Sequence, residues 1–578
     1  ITSGDANTIV GSLAGDALTD GVNNVIIGCV AGSTTTSVTE AVIIGKGACE
    51  SGDVTAAAAG TVAIGRAALL SLTEGIGNVA VGAYTLDANQ TSDYNTAVGH
   101  QSLSAVNSDG NGQNTAVGYN AGLLIDSGIG NTTIGNQSGN ALTSTNYNTF
   151  VGHDSGGSAA GGNYNVGIGQ STFGDGVASA DGSVAVGREA LKNLSSGAGN
   201  VAVGYQALDA EDAGSYSTAV GYQALSAQNV DGTNGNTALG YKAGAAITNS
   251  QANTFIGYNA ALTHTTGIRN IAIGFGAMSD TDRGNNSLDS EDNMFIGVNA
   301  GSGNWEDADS DYNVAIGNYT MDAAMNDANY NVAVGYSSLS ALTSGDSNTA
   351  IGMNAGQDVT TGSNNTLIGQ GAGTDITTGV NNVVVGYDAF LTADGDEDYN
   401  TVIGAGAGQS IDHDNADFNV LIGNGAGTGG AAAMMKCIVI GSAAMDATAG
   451  NAQTGTVAIG HDALTALTTG VQNVAIGYQS LSAANTGGYN TAVGYHAGKA
   501  ITDGAHNVAV GRMALLNEDQ GESCTAIGAA ALYTQNGGDA ILGNTGIGSN
   551  AGYHNVTGTN NTLVGYGAGA GASGQSHS

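Results

Sequence analysis

Asn473–Gly494 reads NVAIGYQSLSAANTGGYNTAVG. It opens with the phrase Asn473-Val474-Ala475-Ile476-Gly477, and the phrase returns 17 residues later as Asn490-Thr491-Ala492-Val493-Gly494. Working outward, the same pattern, Asn-(Thr/Val/Ile)-(small)-(Val/Ile/Leu)-Gly, runs from Asn7–Gly11 to Asn561–Gly565. There are 32 copies, most spaced by 17 residues and the rest by 18 to 23. A fixed period near 20 residues marks stacked repeats, each too small to bury a core alone.

Composition agrees. Glycine fills 97 of 578 positions without the every-third-residue spacing of collagen, and proline is absent. A stack whose backbone N–H groups pair with the next layer excludes a residue that has none. No composition shift divides the chain, so residues 1–566 read as one continuous array and 567–578 as a Gly/Ser-rich tail. No stretch is apolar for long enough to span a bilayer. With 10 Lys+Arg against 48 Asp+Glu, the formal charge of −38 argues against nucleic acid as a partner. The four cysteines form no metal-ligand or redox spacing; Cys437 and Cys524 stand in the asparagine position, and Cys29 and Cys49 fill other repeat positions.

A well-formed copy is Asn331–Ser347, NVAVGYSSLSALTSGDS. Alternation of β-branched and small residues over its first five positions predicts a short half-buried strand. By hydrophobicity, the Val/Ile residues are expected to point into the coil and the alanine column outward, where neighbouring chains could approach closely. The first position is Asn in 25 copies, the exceptions being Ala41, Thr61, Ser183, Ser217, Cys437, Thr456 and Cys524. Stacked about 4.8 Å apart, such asparagines can form a hydrogen-bond ladder.

The residue after the glycine is Tyr in ten copies, among them Tyr205, Tyr222, Tyr241, Tyr258 and Tyr387, and Lys46, Arg66, Arg188, Arg512, His100, His153 or His461 in others. That mixture predicts an exposed edge with tyrosines stacked down it, in preference to a sugar-binding strip. The second half, such as Ala463–Leu467 (ALTAL), fits a second short strand, with a helical turn as the alternative. The expected fold is all-β: a parallel β-solenoid (β-roll) of about 32 coils, roughly 150 Å long at one strand spacing per coil. A single roll buries little, so a parallel homotrimer packed on the outward alanines is the expected assembly.

Ser183–Gly187 (SVAVG), Thr61–Gly65 (TVAIG) and Asn313–Gly317 (NVAIG) resemble the head repeat of YadA-type trimeric autotransporter adhesins. The fuller phrase at Asn114–Gly122 and Asn490–Gly498 is similar to repeats of marine bacteriophage fibre-like and bacterial structural proteins. The resemblance implies a left-handed β-roll packed as a trimer. The coils here are longer than in the adhesins, and neither a heptad stalk nor a membrane barrel follows, which shifts weight toward a phage fibre or a free filament.

Irregular stretches are where a repeat protein places function. The two longest spacings in succession, Gly274–Gly297–Gly317, hold Asp289, Glu291, Asp292, Asp307, Asp309 and Asp311, with the single tryptophan, Trp305. Those carboxylates are weak Ca²⁺ candidates, without EF-hand or nonapeptide spacing; solvated charged loop tips are the plainer expectation, as for Asp394–Asp398 and Asp412–Asp417. Trp305 is the candidate glycan contact. No nucleophile–base pair stands out and the acids sit in corners, so an enzyme is not expected, a β-solenoid glycan-degrading tailspike being the catalytic alternative. Ice binding would need a flat Thr-x-Thr array, and threonines expected to point inward argue against it. The expected function is an extracellular or virion-surface fibre, adhesive or structural, whose partner is itself and whose loops meet a host glycan or receptor. A self-assembling filament subunit is the alternative.

Overall fold

The structure is a computed structural model that describes residues 4–158, 161–175, 179–281, 289–305, 308–393, 395–413, 415–430, 433–448 and 451–571. It forms two compact units, Ile1–Asp280 and Thr281–Ser578. Among the described residues each unit contains sixteen three-residue strands, one per coil, from Thr8–Val10 to Ile271–Ile273 in the first and from Met294–Ile296 to Thr562–Val564 in the second. Within each unit successive coils pair in parallel and in register: Val332 faces Thr349, Ala333 faces Ala350 and Val334 faces Ile351. The fold is thus an all-β parallel solenoid, as the period predicts.

Side-chain orientation is the reverse of the expectation. Ala333, Ala350, Ala475 and Ala492 at strand centres are buried, while the flanking residues are half-buried or exposed. The asparagine and glycine at the strand's ends fix this parity. Positions 1, 3 and 5 share one face, and the asparagine must point inward because its amide closes the coil. In the coil of Asn331, Nδ2 donates to the carbonyl of Gly345 across the corner at 2.8 Å. The glycine must be bare: at φ 140° a Cβ on Gly335 would lie 2.6 Å from the carbonyl carbon of Gly352 in the next coil. Alanine therefore goes inward with them, and the larger β-branched residues face out.

Among the described residues, the second half of most coils is neither strand nor helix. Turns follow one another, with residues at positive φ in alternation, as at Ser337 (50°) and Leu339 (49°), and again at Ser347 (58°) before the next asparagine. A left-handed backbone costs a non-glycine residue roughly 1 kcal/mol, but here it aims the backbone at the neighbouring coils. Ser337 N–H donates back to Asn318 O (3.0 Å), and Leu339 N–H donates forward to Ala355 O (3.1 Å). Among the described residues extra two-residue strands occur at three corner pairs, such as Gly214–Ser215 with Gly232–Thr233, and a 3-10 turn spans Ala56–Ala58.

The core is a narrow file in which the strand centre meets position 9, and their volumes trade off. Where the centre is alanine, position 9 is often leucine, as in Ala333 with Leu339. Where it is Phe150 or Phe295, position 9 is Gly156 or Gly301, and a Cβ there would lie 2.5 Å from the phenyl ring. Residues 567–571, expected as tail, continue the last coil: Gly567 N–H bonds Ser549 O at 2.9 Å, and Gly569 sits against Leu563. The rest of that stretch lies outside the described residues.

Candidate functional site

Three columns on the surface carry chemistry, and each follows from the coil. The first is the strand face. Its outward second position is Thr in 15 coils, Val in 14, Ile in two and Met in one; its fourth is Ile in 18, Val in 13 and Leu in one. These 64 positions include no charge, in a chain with 48 acids. Ile134, Ile316, Ile351 and Ile476 are between 36 and 40 % exposed. Threonines therefore point outward, which removes the orientation objection to an ice-binding array. The fourth position is never threonine, however, so no Thr-x-Thr row forms on the strands.

The second column is aromatic. After the glycine, Tyr205, Tyr222, Tyr241, Tyr258 and Phe275 stack with ring centroids 4.9–5.2 Å apart, and Arg188 caps the run over Tyr205 at 5.6 Å. Within this run the ring faces are taken by neighbouring rings, the stacked edge that the sequence predicts. A second aromatic column, which the repeat phrase itself does not include, runs just before the asparagine. Tyr147 stacks on Tyr164, Tyr312 on Tyr330, Tyr399 on Phe418 and Tyr489 on His506, at 5.0–5.5 Å. Its signal is present in the sequence as a tyrosine directly ahead of the phrase's first residue in eight coils, including Tyr94, Tyr216 and Tyr330.

The third column is polar and lies two residues before the asparagine. Asp311 Oδ1 accepts from Glu291 N–H (2.7 Å), Asn329 Oδ1 from Asp311 N–H (2.8 Å), Asp346 Oδ1 from Asn329 N–H (2.7 Å) and Ser363 Oγ from Asp346 N–H (3.0 Å). Asp398 and Asp417 do the same for Val380 and Asp398, at 2.7 and 2.8 Å. Several corner acids are therefore half-buried backbone acceptors, and not freely solvated tips. Burial pushes the Asp311 carboxyl above its ordinary range, with Asp309, Glu291 and Asp292 adding to the push.

Among the metal candidates, Asp289 N–H donates to Asp309 at 3.3 Å, and Asp307 lies outside the described residues. Among the described residues no group of three or more His, Cys, Asp or Glu is placed to hold a metal ion. Trp305 has no surface to offer a glycan: its side chain is fully buried and packs edge-on to Phe295, centroids 5.6 Å apart, whose own ring fills the space that Gly301 leaves open. Cys49, Cys437 and Cys524 are buried, and burial lifts their thiols to about 12, 11 and 11, which makes them inert core residues. Among the described residues no helix is long and apolar enough to cross a membrane. No protein-family model matches the chain, and no curated protein matches its sequence.

Proposed function

We propose that the chain is a segment of an extracellular or virion-surface fibre, a shaft that packs side by side with further copies of itself and carries attachment contacts on its other faces. The observation that carries this is the charge-free strand face. β-propensity alone would favour Thr as readily as Val on an exposed strand, yet threonine never enters the fourth position. Repeating aliphatic columns flanked by half-exposed tyrosines resemble the centre of a protein interface more than a solvated surface.

A partner for such a face must keep the coil spacing over many layers. A second copy does so by construction, and a charge-free face lets strongly acidic chains meet without burying like charges. A parallel homotrimer, packed through the Val/Ile columns and not through alanine, is the arrangement that closes this face. Sedimentation of the intact chain tests it. The expected mass is three times the protomer's, falling to one in a variant with Ile476→Lys, Val493→Lys and Val510→Lys on successive coils. A native monomer would remove the proposal, and open-ended polymers would make the chain a filament subunit.

A further inference from the structure

We infer that the cavity beside Tyr387 is a binding subsite for a neutral hexopyranose sugar. Tyr387 occupies the slot after the strand glycine, where other tyrosines stack on one another. Its neighbours in that slot are Gln370 in the coil before and Ala405 in the coil after, and among the described residues no aromatic ring stacks on it. Tyr387 is 56 % exposed. The next slot, which carries Gln206, Gln223 and Ser337 elsewhere, is glycine in two successive coils, Gly406 and Gly425. The missing side chains open a cavity of about 300 Å³ with Tyr387 and Asp388 as one wall and Gln409, Asn424 and Thr428 along its rim.

That combination suits a sugar. A pyranose offers an apolar C–H face that lies flat on an aromatic ring, and a rim of hydroxyls that need paired donors and acceptors. Here no aromatic ring covers Tyr387 among the described residues, and polar side chains line the same cavity. Asp388 borders the cavity with Oδ1 turned toward Gly371 in the coil before, and Gln409 Oε1 lies over Gly406 as a hydroxyl acceptor. Asn424 Nδ2 uses one hydrogen on Ala405 O at 3.2 Å and Thr428 Oγ1 donates to Asp446 O at 3.2 Å, which leaves Asn424 Oδ1 and the threonine lone pairs to accept. Asp388 and the net charge of −38 disfavour anionic sugars.

The site deepens the attachment role proposed above, and its test is separable from self-association because the oligomer of each variant is measured alongside. Saturation-transfer NMR on the intact chain uses the methyl glycosides of glucose, galactose and mannose, with sialic acid as the anionic comparison. Transfer to at least one neutral glycoside is expected. It should weaken at least tenfold in Tyr387→Ala and in Gly406→Gln, and persist in Tyr205→Ala, whose ring lies within the closed ladder. Gly406→Gln is compatible with the fold, since Gln206 and Gln223 hold the same slot at φ 51° and 52°. No transfer to any neutral glycoside, transfer that survives both substitutions, or a preference for sialic acid would overturn the assignment.

Discussion

Asn348 stands one coil beyond Asn331 and gives that residue's Oδ1 both its backbone N–H, at 2.9 Å, and its Nδ2, at 3.1 Å. The same Nδ2 donates to Gly362 O at 2.8 Å, and Oδ1 accepts from Asn365 N–H and Nδ2 at 3.0 and 3.1 Å. One buried side chain therefore links three coils and closes its own corner.

Asn348→Leu leaves at least two buried groups without partners, Gly362 O and Asn365 N–H, and should cost about 2–5 kcal/mol. Asn348→Ser should cost less, because Ser183 shows the substitute at work: its Oγ accepts from Asn200 N–H at 3.1 Å. Urea titration followed by circular dichroism orders the two. Equal losses would show that the ladder contributes little beyond side-chain volume.

The volume trade between strand centre and position 9 predicts a rescue. Ala333→Phe alone should destabilise by about 1–3 kcal/mol through overpacking against Leu339. Adding Leu339→Gly recreates the Phe150–Gly156 pairing, in which the ring occupies the space a Cβ would need. The double variant should be more stable than the sum of its singles by about 1–3 kcal/mol. Additive losses would mean the coils adjust their backbone instead.

The period, the strand and the asparagine ladder are legible in the sequence because they repeat at fixed spacing. Side-chain orientation is not, because hydrophobicity ranks Val334 above Ala333, while the deciding residues are the amide of Asn331 and the bare Cα of Gly335, whose constraint lies in the next coil. The left-handed positions at Ser337 and Leu339 are equally hidden, since ordinary residues fill them and only the stacked carbonyls make the conformation worthwhile. Trp305 misleads for a related reason: rarity and acidic neighbours mark it, but it is buried in the core against Phe295, whose ring Gly301 accommodates. The cavity at Tyr387 is visible in retrospect as a tyrosine without an aromatic neighbour, followed by glycine in the next slot of two consecutive coils.

The corner column makes a distinct prediction about charge. Asp346 acts by presenting Oδ1 to Asn329 N–H, and Asn329 presents the same atom to Asp311 N–H. Asp346→Asn should therefore change stability by less than about 0.5 kcal/mol, while Asp346→Ala should cost about 1 kcal/mol. Both are read from urea midpoints at neutral pH. If the asparagine variant lost as much as the alanine variant, the negative charge itself would be the functional feature, and a cation at this corner would regain weight.

Burial of His264 predicts a solenoid that loses stability in acid. The residue occupies corner position 12, filled by Leu342, Ile376 and Leu467 in other coils, and is 1 % exposed with its ring edge-on to Phe255 at 6.2 Å. Burial lowers its pKa from 6.5 to about 4, a backbone hydrogen bond at Gly267 pulling weakly the other way. The ring is neutral in the folded chain and charges more readily once unfolded, so the unfolded state binds more protons between those two values. Stability at this site is complete above pH 6.5 and is lost as the pH falls toward 4. Relative to His264→Leu, the native chain should lose about 3 kcal/mol between pH 7 and pH 4. Comparing the two chains at each pH cancels the titration of the surface acids that both share. Parallel stability curves would mean that the imidazole stays solvated and exchanges its proton without opening the coil.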